Sequence, residues 1–330
     1  MVTRIDQYLL KLIPVMDELN YSSTFKENII KSVYQPRCVQ LEITSKCNAS
    51  CIICPREGMS RPIVDMDESL FKKCVDSVSG GYLVDLGLHL AGEPLMFPID
   101  KLVKLINYAK VKLNNTLISF FTNASLLTEE KSRKLIYNSE LDVLNFSVDG
   151  GTKETYEKVR MGLNFDVVVN NIMTFVRINK ENGGKIKTHT NIVPLMENRS
   201  SFESYYSLFR DIGVDSVGGS GVNNIGGFID ANSMRTPEQG IPKPNQAPCH
   251  RIFQHLNVLA DGRVCICCLD FRGEHIIGDM NKEENLLDVW FSDYLFDVRV
   301  KHLKKQRNTV PYCTNCDYLD TLGMPEWWPK

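Results

Sequence analysis

Apolar and polar positions along the chain change period repeatedly, from strand-like alternation to helical spacing and back. Residues 1–36 carry a rough helical face of Leu9, Leu10, Leu12, Ile13 and Met16, which predicts a short helical extension. Strict alternation begins at Val39, Leu41 and Ile43, with Gln40, Glu42 and Thr44 on the opposite side. Further strands are predicted over 84–89, 117–121, 143–148, 187–193 and around 216–217. Helical spacing fills the segments near 68–78, 98–112, 128–138, 165–182 and 201–211. Six strands alternating with helices predict right-handed βαβ units and a parallel sheet. The class is α/β, with a core over 37–220.

From 221 to 248 glycine and proline recur (Gly226, Gly227, Pro237, Gly240, Pro242, Pro244, Pro248), which marks a junction. Residues 249–330 then form a small module. Asp261-Gly262 is a hairpin turn signal between apolar runs at 256–259 and 264–267. One helix is predicted over 283–305, burying Leu287, Trp290, Leu295 and Val298. Trp327 and Trp328 are expected either to cover a site mouth or to pack the tail.

Composition is that of an ordinary globular chain: 330 residues, 43% hydrophobic, with a formal net charge of −2. So balanced a charge argues against a field that gathers nucleic acid or acidic membrane. No apolar run approaches the roughly 18 residues of a membrane span. Asp6 and Lys11 interrupt the apolar stretch at the N-terminus, so it does not read as a secretory signal. The expectation is a cytoplasmic protein with neither nucleic-acid nor membrane partners.

Eleven cysteines change that plain picture. Nine fall in two sets: Cys47, Cys51, Cys54, and then Cys249, Cys265, Cys267, Cys268, Cys313, Cys316. Grouped cysteines in a reducing compartment point to metal ligands or redox groups. Cys38 and Cys74 read as apolar fillers. The first set has helical spacing and would also suit a helix core, but Ser45, Asn48, Ser50 and Pro55 favour a loop. Three thiolates on one loop suit an iron–sulfur cluster with one iron left open.

Cys47-x3-Cys51-x2-Cys54 after the first strand resembles the radical S-adenosylmethionine (SAM) superfamily. Ala91-Gly92-Glu93-Pro94 is similar to that family's Gly-Gly-Glu-Pro turn, and Ser147-Val-Asp149-Gly150 followed by Arg160 is similar to its serine and arginine segment. The resemblance spans about residues 38–217. It implies a partial (β/α)6 radical SAM barrel whose [4Fe-4S] cluster is held by three cysteines plus SAM. It also implies cofactor-binding roles for Gly92, Glu93, Ser147, Asp149 and Arg160, and a reductant such as flavodoxin or ferredoxin. Thr122-Asn123-Ala124 departs from a frequent Thr-Asn-Gly, and no role is carried onto it.

The second set resembles the SPASM/twitch extension, which implies one auxiliary [4Fe-4S] cluster on Cys249, Cys267, Cys313 and Cys316. On a regular strand Cys267 and Cys268 would face opposite ways, and the glycine spacing from Gly262 favours Cys267. Cys265 shares the face of Cys267 and is a spare thiol. Taken alone, the set also suits a zinc site, hence a zinc-bearing binding module. His89, Glu93, Cys265 and Cys268 are the catalytic candidates, and the basic run Lys301, His302, Lys304, Lys305, Arg307 reads as solvated surface. The implied activity is SAM cleavage to a 5′-deoxyadenosyl radical and hydrogen abstraction from an unactivated C–H bond. The favoured outcome is oxidation of a small polar metabolite, such as a sugar or aminocyclitol, with the auxiliary cluster as electron acceptor. A radical epimerase with a cysteine hydrogen donor, or modification of a ribosomal peptide, are the alternatives.

Overall fold

The sheet starts at β1 (Cys38–Leu41) and grows by one parallel neighbour at a time. β2 (Asp85–Gly87), β3 (Leu117–Thr122), β4 (Val143–Ser147), β5 (Lys187–Ile192) and β6 (Ser216–Gly219) follow in sequence order, each beside the one before it. The computed structural model describes residues 3–56, 58–242 and 247–321, with side chains to 319. Trp327, Trp328 and Pro244 lie outside the described residues.

On the other side of β1, β7 (His255–Val258) pairs parallel to it, with Gln40 opposite Asn257. β8 (Arg263–Cys265) and β9 (Ile276–Asp279) continue antiparallel. The C-terminal segment therefore extends the barrel sheet itself, in the order β6-β5-β4-β3-β2-β1-β7-β8-β9. The hairpin turn is as expected, and Gly262 adopts the positive φ of 92° that such a turn needs.

The crossover helices form where the apolar period reads 3.6, and polar caps start four of them. Asp67, Thr128, Thr152 and Asn164 each accept a hydrogen bond from a backbone N–H in the first turn of the helix they precede. These four helices bury Phe71, Leu135, Tyr156 and Phe175. The interior and the C-terminal strand ends are left to the loops, where open parallel sheets bind ligands.

Two expectations need correction, and one feature was not foreseen. The helix over 283–305 is two, Leu286–Trp290 and Asp293–Leu303. Ser292 caps the second by accepting from Leu295 N, while Trp290 Nε1 donates to Val33 O at 2.8 Å and anchors the first. Near the N-terminus the buried face is Tyr8, Leu12 and Met16, at strict i, i+4 spacing, and Leu10 is 68% exposed. Glu42 and Thr44, on the polar side of the first alternating run, are buried, because that side faces the barrel interior rather than water.

Candidate active site

The loop after β1 carries Cys47, Cys51 and Cys54 outside any helix, so the helix-core reading of their spacing does not apply. Backbone bonds fix its path: Ser50 N donates to Met161 O and Ile52 N to Val159 O, both at 3.0 Å. Arg56 Nη1 donates to Ser45 O at 2.7 Å and to Ala91 O at 2.8 Å, closing the loop onto the segment after β2. All three thiols line one chamber of about 430 Å3 at the C-terminal strand ends. Burial raises the pKa of Cys47 and pushes Cys54 up to about 11. Loading iron there means displacing thiol protons that burial retains.

Gly92 is required by a close approach: a Cβ on it would lie 1.9 Å from Thr44 O. Glu93 follows, 3% exposed, with its N–H on Lys46 O at 2.7 Å. Its carboxylate accepts from Leu95 N at 3.1 Å, Thr122 Oγ1 at 2.7 Å and Asn123 N at 2.7 Å. Burial raises its pKa against those hydrogen bonds. Glu93 thus ties the loop after β2 to the loop after β3. Ala124 holds φ 59°, the left-handed conformation for which glycine is better suited, and Asn123 Nδ2 reaches Asn48 Oδ1 at 3.0 Å.

Ser147 ends β4 and lines the chamber. Arg160 sits at the C-cap of the helix Lys153–Val159, a helix that the apolar period alone does not announce. Its guanidinium lines the chamber with Nη1 3.7 Å from Cys51 Sγ. Asp149 is fully buried behind it, accepting from Arg160 Nε at 2.6 Å and from Val193 N at 2.7 Å. Both Asp149 oxygens are thereby engaged, so its place is behind Arg160 and not on the chamber wall.

The second cysteine set divides between two cavities. Cys249, Cys267, Cys313 and Cys316 line a small cavity of about 20 Å3, a donor set that suits a cluster. Cys268 lines the large chamber instead, its sulfur against Arg251 Nη1. The expected cause was strand alternation, but β8 ends at Cys265, and the following turn gives the two residues to different cavities while their thiols stay in contact. The hydrogen bond from Cys267, with Arg251 beside it, lowers the pKa of the Cys268 thiol. Cys265 lines neither cavity; it is fully buried and donates weakly to Cys267 O at 3.4 Å. The basic run is not all surface either. His302 Nδ1 accepts from Cys249 N at 3.1 Å, and Arg307 Nη1 donates to Cys316 O at 3.0 Å, so both are drawn under the cysteine cavity.

His89 also lines the chamber, its ring centroid 4.7 Å from that of Phe121 and its Nε2 3.2 Å from Gln40 Nε2. Burial lowers its pKa to about 4, so the imidazole is neutral at pH 7. His89 Nδ1 and Gln40 Oε1 are buried with no partner among the described residues. Sequence reasoning passed over Gln40, Arg251 and the pair Glu42–Arg61. Gln40 and Glu42 carried one signal, their place on the polar side of the first alternating run; Arg61 and Arg251 carried none.

Two family models match the chain. The radical SAM superfamily model matches residues 41–209, and the model of the iron–sulfur cluster-binding domain SPASM matches residues 249–317. GTP 3',8-cyclase of Limosilactobacillus fermentum is 29% identical over 141 residues, which span 41% of this chain and only 40% of the cyclase. S-adenosyl-L-methionine-dependent 2-deoxy-scyllo-inosamine dehydrogenase of Niallia circulans is 21% identical over 285 residues, spanning 84% of this chain and 92% of that enzyme. Among solved structures, Streptococcus suis SuiB bound to precursor peptide SuiA superposes with a TM-score of 0.64 at 13% identity, over 89% of this chain and 78% of that one. The SPASM match covers the stretch that holds the second cysteine set, so that stretch is an iron–sulfur cluster-binding domain and not a zinc module. The chain belongs to the radical SAM superfamily and carries a C-terminal SPASM domain.

Proposed function

We propose that this enzyme uses SAM to generate a 5′-deoxyadenosyl radical and dehydrogenates a small polar metabolite, such as a sugar or aminocyclitol. Cys47, Cys51 and Cys54 hold the first [4Fe-4S] cluster, and Cys249, Cys267, Cys313 and Cys316 hold one auxiliary cluster. At those positions the first cluster would supply one-electron reduction of SAM, drawing on a flavodoxin- or ferredoxin-like reductant, and the auxiliary cluster would supply an acceptor for the electron that the substrate loses. The observation that carries the reading is the adjacency of the two cavities: Arg251 and Leu269 belong to the walls of both. A chamber that abuts the second cysteine site is what electron removal from a substrate requires. The match to an aminocyclitol dehydrogenase across 92% of its length supports the same choice.

The chain's own residues prepare the chamber. Gly92 lets the loop after β2 lie against Thr44, which brings its backbone toward the SAM amino group. Ser147 and Arg160 supply polar contacts to SAM, with Asp149 setting the guanidinium's angle. The neutral groups of Gln40 and His89 offer hydrogen bonds to hydroxyl groups without imposing a charge.

Mass spectrometry of the product formed in deuterated water is the test. Dehydrogenation removes two hydrogens and brings in no deuterium at the reacting carbon. An unchanged mass apart from one solvent deuterium would sink the proposal in favour of epimerisation. That alternative reading has its own observation, the Cys268 thiol on the chamber wall, where a weak S–H bond can quench a carbon radical.

Arg160 gives a separate expected result. Its removal alone would strand the buried Asp149, so the informative variant is Arg160→Gln combined with Asp149→Asn. Loss of a charged hydrogen-bond partner should weaken SAM binding by roughly tenfold to a hundredfold. Equilibrium dialysis with iron-loaded protein measures it; parental affinity would take Arg160 out of the SAM site.

A further inference from the structure

Arg251 stands where the two cavities meet, and no motif in the sequence marks it. It lies two residues after Cys249, and its guanidinium lines both the large chamber and the small cysteine cavity. Nη1 contacts Cys268 Sγ, and Nη2 donates to Tyr318 Oη at 2.9 Å. The Tyr318 ring also stacks on the guanidinium, 4.2 Å from its centre, so the side chain is fixed from two directions. Cys249 and Cys267 line the same small cavity as Arg251. Arg307 is the other cation at the cysteine cavity, but it lines only that cavity and donates to Cys316 O at 3.0 Å.

A fixed positive charge beside a cluster favours the state with one more electron, and charge with hydrogen bonding at the sulfurs sets cluster potentials. We propose that Arg251 is a positioning residue of the shared wall that raises the reduction potential of the auxiliary cluster and so draws the electron out of the chamber. This rests on the dehydrogenase reading for its purpose, though not for its measurement. The electron balance is closed. SAM cleavage consumes one electron, the 5′-deoxyadenosyl radical takes one hydrogen atom from the substrate, and the substrate radical then loses one electron and one proton. The electron gained at the auxiliary site equals the one spent on SAM, and the proton goes to solvent.

The test is a redox titration followed by electron paramagnetic resonance on the full chain carrying Cys47→Ala, Cys51→Ala and Cys54→Ala, which leaves the auxiliary cluster as the signal. In that background Arg251→Gln should make reduction harder by on the order of tenfold, about 59 mV more negative for a one-electron couple. Arg251→Lys, which keeps the charge but loses the planar fork, should fall between. An unchanged potential in Arg251→Gln with full auxiliary iron overturns the proposal. Loss of that iron in both variants also overturns it, because Arg251 would then serve the fold alone. If only Arg251→Lys keeps its iron, a potential more negative by the full tenfold overturns it, because the retained charge should hold the potential nearer the parent's. With both clusters present, Arg251→Gln should still form 5′-deoxyadenosine but yield less oxidised product per SAM consumed. A shifted potential with that ratio unchanged counts against the dehydrogenase reading and leaves the role of Arg251 standing.

Discussion

Replacing Cys47, Cys51 and Cys54 together by alanine should abolish 5′-deoxyadenosine formation and remove about half the iron, the share of one of the two four-iron clusters proposed above. The variant should fold, because the loop's path does not depend on the thiols. Ser50 and Ile52 are held by backbone bonds to Met161 and Val159, and Arg56 spans Ser45 O and Ala91 O. Nor does the auxiliary set depend on them, since its four cysteines line a separate cavity. Iron per chain and chromatography of the nucleoside read the two effects independently. Formation of 5′-deoxyadenosine at the parental rate would show that SAM is not cleaved at these three cysteines. Loss of all the iron would show instead that the two sites fold as one.

Much of the fold was legible because its signals are local. The apolar period located the crossover helices, and the caps at Asp67, Thr128 and Asn164 are short-range devices that a sequence displays. Burial on the polar side of β1 was not legible. Alternation reports two faces, but not that the polar one is turned into a closing barrel. The parallel pairing of β7 with β1 joins residues more than two hundred positions apart, with no hairpin turn to announce it. The same distance hid Arg61, whose Nε donates to Phe271 O across a separation of 210 residues. Cysteine spacing gave the two sets, but dividing Cys267 from Cys268 depended on where β8 stops, and element ends are the least readable feature of a sequence.

Arg61→Met should destabilise the protein by about 3–5 kcal/mol, the cost of leaving a buried ion without its partner. Arg61 and Glu42 meet as fork to fork at 2.7 and 2.6 Å, with side chains only 1% and 0% exposed. In contrast, Lys31–Glu27 has side chains 65% and 66% exposed, and Lys31→Ala should cost within about 1 kcal/mol. The Glu42 carboxylate also accepts from Ala91 N at 3.1 Å and Ala260 N at 3.0 Å. One side chain at the end of β1 thus joins the chain beyond the cysteine loop, the turn before Gly92 and the start of the β7–β8 hairpin. Because that strut spans the barrel and the SPASM domain, its loss should reduce iron at both sites, not merely lower the melting temperature. Arg61→Met combined with Glu42→Gln should recover part of the stability, since the uncompensated charge is gone while one amide oxygen remains for the backbone donors. Chemical unfolding and iron content on the two variants decide it. An Arg61→Met protein with parental stability would mean that water or another group reaches the Glu42 carboxylate. A double variant no more stable than Arg61→Met alone would mean that the four hydrogen bonds, and not the charge, hold these three segments together.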